Sequence, residues 1–505
     1  MDTYLTKNPF NMKKSFNFFY LIMLYALLIF IPKNDVQGAG SGDGEAPAQV
    51  LPVPEPKQVR WQQMETYAFI HYGLNTYNDM EWGYGDASPR LFNPTRLDTD
   101  QWVRTLKAAG MKGVIFTAKH HDGFCLWPSQ YSDYTIAQSP YRGGKGDVVG
   151  ELAASCRKYG LKLGLYLSPW DRHQASYGTA AYVDYYHLQL AELLKRYGPL
   201  FEVWFDGANG GDGWYGGANE RRSIDQRTYY DFPRAYDTLA RLSPETIVFS
   251  DGGPGCRWVG NERGEADATN WSMLRHGEVY AGFPRLKELS TGHADGDEWV
   301  PAECDVSIRP GWFWHEKENS QVKTPRQLLD IYYKSVGRNA TFLLNVPVAG
   351  DGRIHPADSS SLVGFRELLE QEFACNLVKE AHLSANAQHG QRYAVANVAD
   401  GSFDSFWTCA DDGGESWLQV SFQKPTAVSR LMLQEYIPLG QRVRRFVVEC
   451  RLEEQSEWLP VDCGEPTTTI GYKRLLRFTP VEAKELRIRF TDMRACACIS
   501  ELGVY

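Results

Sequence analysis

Between about residues 60 and 350 one pattern recurs: a short apolar run, a polar turn, then an amphipathic stretch of helical period. The apolar runs are TYAFIHYG (66–73), GVIFTAKHH (113–121), LKLGLYLSPW (161–170), LFEVWFDG (200–207), TIVFSDGG (246–253) and ATFLLNVP (340–347). Their length and their β-branched and aromatic content predict strands. Between them Trp102, Leu106 and Ala109 share one helical face, as do Val149, Leu152, Cys156 and Tyr159, and Tyr186, Leu190, Leu193 and Tyr197. Strands joined through helices pair in parallel. Several such units without a dinucleotide-binding glycine fingerprint predict an α/β fold of the (β/α)8-barrel type. Residues 255–335 lack the alternation, so the later strands are expected to be degenerate.

Polar residues fall at one end of these runs. His71, His120, His121, Trp170, Asp206 and Asp251 all close a predicted strand at its C-terminal end. In a parallel barrel those ends converge on one mouth, where active sites are built. Asp206, in VWFDGA, is the most demanding of them, because aromatic neighbours disfavour an ionised carboxylate. A single Asp there would ordinarily order a turn. In company with the histidines it reads as chemistry. The pair in AKHHDGF supplies neutral donors and acceptors, and no third ligand at helical spacing supports a metal reading. The loop GANGGDGWYGG lacks the GK[ST] ending of a phosphate loop, and HADGDE does not keep an EF-hand register.

The net charge of −9 argues against nucleic acid and anionic membrane surfaces as partners. The 15 Trp, 28 Tyr and 24 Phe suit a sugar-binding protein, since a pyranose face stacks on π-systems, although much of that content is ordinary core. At the N-terminus, Lys13 and Lys14 precede the apolar run Phe18 to Ile31, which small residues follow. That run fits a signal-peptide core and is short for a membrane span. Residues 1–39 are therefore expected to be a signal peptide, with export to the periplasm or outside the cell and no integral membrane anchor. Residues 40–56 are expected to be a flexible lead-in. From Cys375 onward, short alternating runs between turns predict an autonomous antiparallel β-sandwich over 375–505, after a catalytic unit over 57–373. Cys375 is expected to pair with Cys496 or Cys498.

FIHYGLNTYNDMEWG, TAKHHDGFCLWPS, LYLSPWD, VWFDGA and LLNVP, in that order, resemble glycoside hydrolase family 29, the retaining α-L-fucosidases. The resemblance implies that Asp206 is the nucleophile. It also implies that His71, Glu81, His120, His121, Tyr166 and Trp204 bind the fucose ring, with no cofactor for catalysis. RWVGNE resembles the branch acting on α-1,3- and α-1,4-linked fucose of Lewis-type glycans, with Glu262 as acid/base. Glu303, in WVPAECDVSIRPGW, is the alternative acid/base, because spacing along the chain does not choose between carboxyls on different loops. On the Glu262 reading, Glu303 and Asp305 bind hydroxyls or brace the rim, and Trp312 and Trp314 are platforms. The tail resembles an F5/8 type C (discoidin-like) domain of the carbohydrate-binding kind, which implies a structural calcium near Asp400 and Asp404.

Overall fold

A computed structural model describes residues 45–409 and 414–505. The expected signal peptide lies outside the described residues. Among those residues no helix is long and apolar enough to cross a membrane.

Eight parallel strands close a barrel in the order β1–β8–β7–β6–β5–β4–β3–β2. They are β1 (Thr66–Ile70), β2 (Gly113–Lys119), β3 (Lys162–Leu167), β4 (Glu202–Trp204), β5 (Ile247–Ser250), β6 (Cys256–Trp258), β7 (Ala302–Ser307) and β8 (Ala340–Asn345). All six strands read from the sequence form. The two it did not resolve, β6 and β7, fall in the irregular stretch, where β6 has three residues and follows β5 without a helix. The helices over Thr99–Ala108, Val148–Tyr159 and Ala180–Tyr197 turn their predicted apolar faces inward; Trp102, Leu106, Val149, Leu152, Tyr186 and Leu190 are buried. Asp98 and Asp147 cap the first two of these helices by accepting from Gln101 N and Gly150 N.

Side chains at every second position of a strand face one side. Inside the barrel this stacks them in layers. Tyr67, Phe69 and His71 rise along β1, Glu202, Trp204 and Asp206 along β4, and Glu303, Asp305 and Ser307 along β7. The filling between them is aromatic, including Trp61, Phe69, Tyr166, Trp204 and Phe249.

The tail is a seven-stranded antiparallel sheet. Its two longest strands, β9 (Ser416–Glu435) and β10 (Arg474–Met493), pair along their length with register breaks at Ser421/Thr426 and Val428/Arg430. Such breaks bend a strand pair. The sheet encloses its own core around Trp407, Val420, Leu431, Phe446 and Phe490.

The sandwich and the barrel are joined by hydrogen bonds and by a shared buried cluster. Ser272 N donates to Gln441 (2.8 Å), Asn270 N to Thr469 (2.9 Å) and Tyr472 N to Asn339 (2.8 Å). Trp271, Met273 and Trp299 of the barrel share a buried cluster with Ile437 and Tyr472. Glu65 is held below the usual carboxylate range: burial pushes it up, but Lys473 and the Tyr332 and Tyr472 hydroxyls outweigh that. The described part of the lead-in is not free. Val50 N donates to Leu439 O (2.9 Å), and Arg494 Nη2 to Leu51 O (2.7 Å). Cys375 carries an exposed free thiol, while the Cys498 thiol is buried beside Thr408, so the expected disulfide is not formed. Asp400 uses both oxygens on its own turn, accepting from Ser402 N (2.8 Å) and Ser405 Oγ (2.6 Å).

Candidate active site

The strand ends open on a cavity of about 400 Å³. Of the residues the sequence singled out, His71, Glu81, His120, His121, Tyr166, Trp204, Asp206, Glu262, Asp305 and Trp312 line it; Glu303 and Trp314 do not.

Asp206 stands on the inward register of β4, at the top of its layer. Its Oδ1 accepts from Ala208 N (2.8 Å) and its Oδ2 from the Tyr166 hydroxyl (3.1 Å). The carboxylate is therefore fixed in orientation while still facing the cavity. Gly207 is required next to it, because a Cβ there would lie 2.6 Å from Asp251 Oδ2. Asp251 also lines the cavity, with its pKa pushed up to about 6 by burial and by the Asp206 charge.

The three histidines are neutral. Burial pushes His71 down to about 3, His120 well below the usual value, and His121 down in spite of the neighbouring Asp206 charge. Their neighbours fix which nitrogen carries the proton. The Asn345 amide donates to Ser307 Oγ (2.9 Å) and to Trp312 O (2.8 Å), so its oxygen accepts from His71 Nδ1 (2.9 Å). His71 Nε2 is left as an acceptor. Asn75 accepts from Gly83 N (3.0 Å) through its oxygen and turns its amide nitrogen to His120 Nδ1 (3.4 Å). His120 Nε2 is consequently a donor. Ser168 donates to Trp170 O (2.6 Å) and accepts from His121 Nδ1 (2.7 Å), which leaves His121 Nε2 facing Asp206 Oδ2 at 3.9 Å.

The opposite wall is assembled mostly on loops, with Asp305 at β7 as the exception. Glu262 sits at the exposed rim, and the Trp312 indole donates to its Oε2 (3.3 Å). Partial burial raises its pKa, the Asp206 and Glu81 charges add to that, and the Trp312 bond opposes it. Asp305 accepts from Trp258 Nε1 (2.8 Å), and burial together with the Glu262 charge raises it strongly. Glu81 accepts from the backbone of Trp312 (2.8 Å) and Phe313 (3.2 Å), so it anchors this wall as well as lining the cavity.

Two of the candidates lie outside the cavity lining. Glu303 lies two residues below Asp305 on β7, one layer deeper and fully buried. There it accepts from Trp204 Nε1 (2.7 Å) and from the Tyr67 hydroxyl, beside the equally buried Glu202. Burial and mutual repulsion push this pair up, so it retains a proton. Glu303 braces the Trp204 indole from beneath and does not line the cavity. Trp314 does not line the cavity, and its indole nitrogen is buried. Sequence reasoning left Trp82, Trp258, Phe283 and Leu286 unassigned, and gave Asp251 no role. Trp82 is adjacent to Glu81 in the EWG motif, and its ring meets His121 edge-on at 5.3 Å. Phe283 and Leu286 come from the irregular stretch, which carried no signal.

Indole faces, neutral imidazoles of fixed polarity and carboxyl groups suit a neutral ring bearing several hydroxyls. Fold and site together place the protein among barrel glycoside hydrolases. More narrowly, the chain belongs to the alpha-L-fucosidase family, whose model matches residues 52–372, and an F5/8 type C domain matches residues 382–502. It is 42% identical over 464 residues to alpha-L-fucosidase 1 of Arabidopsis thaliana, covering 91% of this chain and 88% of that protein. A glycoside hydrolase 29 member from an unknown rumen bacterium superposes with a TM-score of 0.81 at 47% identity, over 91% of this chain and 78% of that one. A Ruminococcus gnavus GH29 fucosidase solved in complex with fucose gives 0.82 at 33% identity, over 92% and 97%.

Proposed function

We propose that the protein is an exported, retaining α-L-fucosidase that releases terminal α-1,3/1,4-linked L-fucose from Lewis-type glycans. The observation that carries the reading is Asp206: an inward-facing carboxylate, oriented by Tyr166 and Ala208 N, in one cavity with the carboxyl group of Glu262. An Asp206 oxygen attacks the anomeric carbon as the bond to the leaving oxygen breaks, and that oxygen takes the proton of Glu262. Glu262, now a carboxylate, accepts a proton from water. The water oxygen then attacks the fucosyl ester and releases Asp206. The raised pKa of Glu262 supports its role, because an acid catalyst must keep its proton near neutrality. His71 Nε2 and His120 Nε2–H offer an acceptor and a donor to the ring hydroxyls. The linkage preference is supported by the RWVGNE stretch.

Proton NMR of the first-formed fucose tests the stereochemistry, with the α-anomer expected and the β-anomer overturning retention. A panel of Lewis a, Lewis x and 2′-fucosyllactose tests the linkage. Faster release from 2′-fucosyllactose than from either Lewis glycan would replace the linkage reading by an α-1,2 one.

A further inference from the structure

His315 has no place in the reaction above, yet its surroundings fix it closely. It is 5% exposed, and both ring nitrogens face carboxylates: Nδ1 meets Asp79, and Nε2 lies 2.7 Å from Glu81 Oε1. An ionised carboxylate only accepts hydrogen bonds, so both nitrogens donate and the ring is an imidazolium. Burial opposes that charge, but the hydrogen bonds to Asp79 and Glu81 and the charges of Glu81 and Glu318 outweigh it and raise the pKa. Lys317, 3.7 Å from Asp79, faces the same cluster.

Glu81 passes this restraint on. While held by His315 it accepts from the backbone amides of Trp312 and Phe313, and the Trp312 indole in turn donates to Glu262. The packing leaves no slack, since a Cβ on Gly311 would lie 2.6 Å from Glu81 Oε1 and 3.0 Å from His315 Cδ2. Asp79 is mostly exposed, so water screens its share, and the contact with Glu81 carries more of the restraint.

We propose that His315 is a positioning residue: as an imidazolium it clasps Glu81, and through Glu81 it holds the Trp312 wall of the cavity against Glu262. The part of this that concerns Glu262 rests on the reading of Glu262 as acid/base. The restraint is present below the pKa of His315 and is lost as pH rises through it.

The test compares wild type, His315→Ala and His315→Gln by the inhibition constant of free fucose and by kcat/KM on a Lewis glycan. His315→Ala is expected to weaken fucose inhibition and glycan turnover about tenfold each, the size of one charge-assisted hydrogen bond. Added imidazole should restore both at pH 6 and much less at pH 8, because only imidazolium donates twice. His315→Gln, which keeps one donor nitrogen and no charge, should lie between and show no response to imidazole. If His315→Ala does not fold, the Gln variant decides alone, by a weakened fucose inhibition that depends on pH less than wild type's between 6 and 8. Wild-type inhibition and an unchanged pH profile in the variants would overturn the proposal. Failure of the acid/base reading is distinguishable: Glu262→Ala would then keep glycan turnover, while fucose inhibition would still respond to His315.

Discussion

The wall carrying Asp206 and the wall carrying Glu262 face each other across one cavity but are held by different means. Asp206, His71, His120, His121 and Tyr166 stand at or just beyond the ends of barrel strands, and the backbone ladder sets their positions. Glu262, Trp312 and Glu81 lie outside the barrel strands and are held chiefly by side chains, Trp312 on Glu262 and Glu81 on the Trp312 backbone, while Asp305 alone of the four stands on a strand, β7. The fully buried Arg257 ties the chain beneath this wall through Leu289 O (2.8 Å), Trp271 O (2.9 Å) and Asn270 (2.8 Å). The sandwich grips the same segment through Gln441 and Thr469. One wall is thus fixed by the fold, and the other by a network that reaches the second domain. Substitutions on the first wall should remove chemistry and leave structure. On the second, chemistry and positioning should change together.

The largest effect expected is that of Asp206→Asn. Loss of a covalent nucleophile should lower kcat by about four orders of magnitude or more, with melting temperature and fucose affinity near wild type. A folded variant keeping more than a few per cent of activity would mean that Asp206 is not the nucleophile. Glu262→Ala should follow, losing roughly 10²–10⁴-fold on natural glycans but far less on aryl fucosides whose leaving group needs no proton. Azide should restore turnover as fucosyl azide. Glu303→Gln sharpens the contrast, because its indole contact needs only an acceptor. About tenfold or less in kcat/KM is expected, without azide rescue, and rescue in this variant would exchange the two glutamates.

A separate effect, outside catalysis, concerns acid stability. His71 has an ordinary value of 6.5 and a folded-state value of about 3. Below about pH 6.5 the unfolded chain binds a proton that the folded site refuses, so stability falls from there toward pH 3. One such group contributes a slope of up to about 1.4 kcal/mol per pH unit. Urea titrations from pH 7 to 4 should give a shallower decline for His71→Asn than for wild type. Equal slopes would mean that His71 is already protonated in the folded protein.

The wall fixed by the fold is also the wall that was legible in the sequence. The run LFEVWFDG announces both a strand and the residue at its end, because in a strand the alternation of side chains decides which positions face inward. Glu303 shows the limit of that logic. Its run was visible, but not its depth, and the two residues separating it from Asp305 decide between core and cavity. Phe283, Leu286 and His315 left no periodic trace, since they are placed by contacts between distant loops. The sandwich was legible as a strand pattern, whereas its grip on Asn270 and Ser272 was not, being a matter of single hydrogen bonds.

The opposite protonation of His71 and His120 makes the floor of the cavity directional. A group facing His71 Nε2 must give a hydrogen, and one facing His120 Nε2 must receive it. Fluorine in place of a ring hydroxyl receives weakly and cannot give. A set of singly fluorinated fucosides therefore meets an uneven floor, on which the substitution over His71 costs more than the one over His120. The ranking of such sugars would read the direction of these two protons without any structure of the complex.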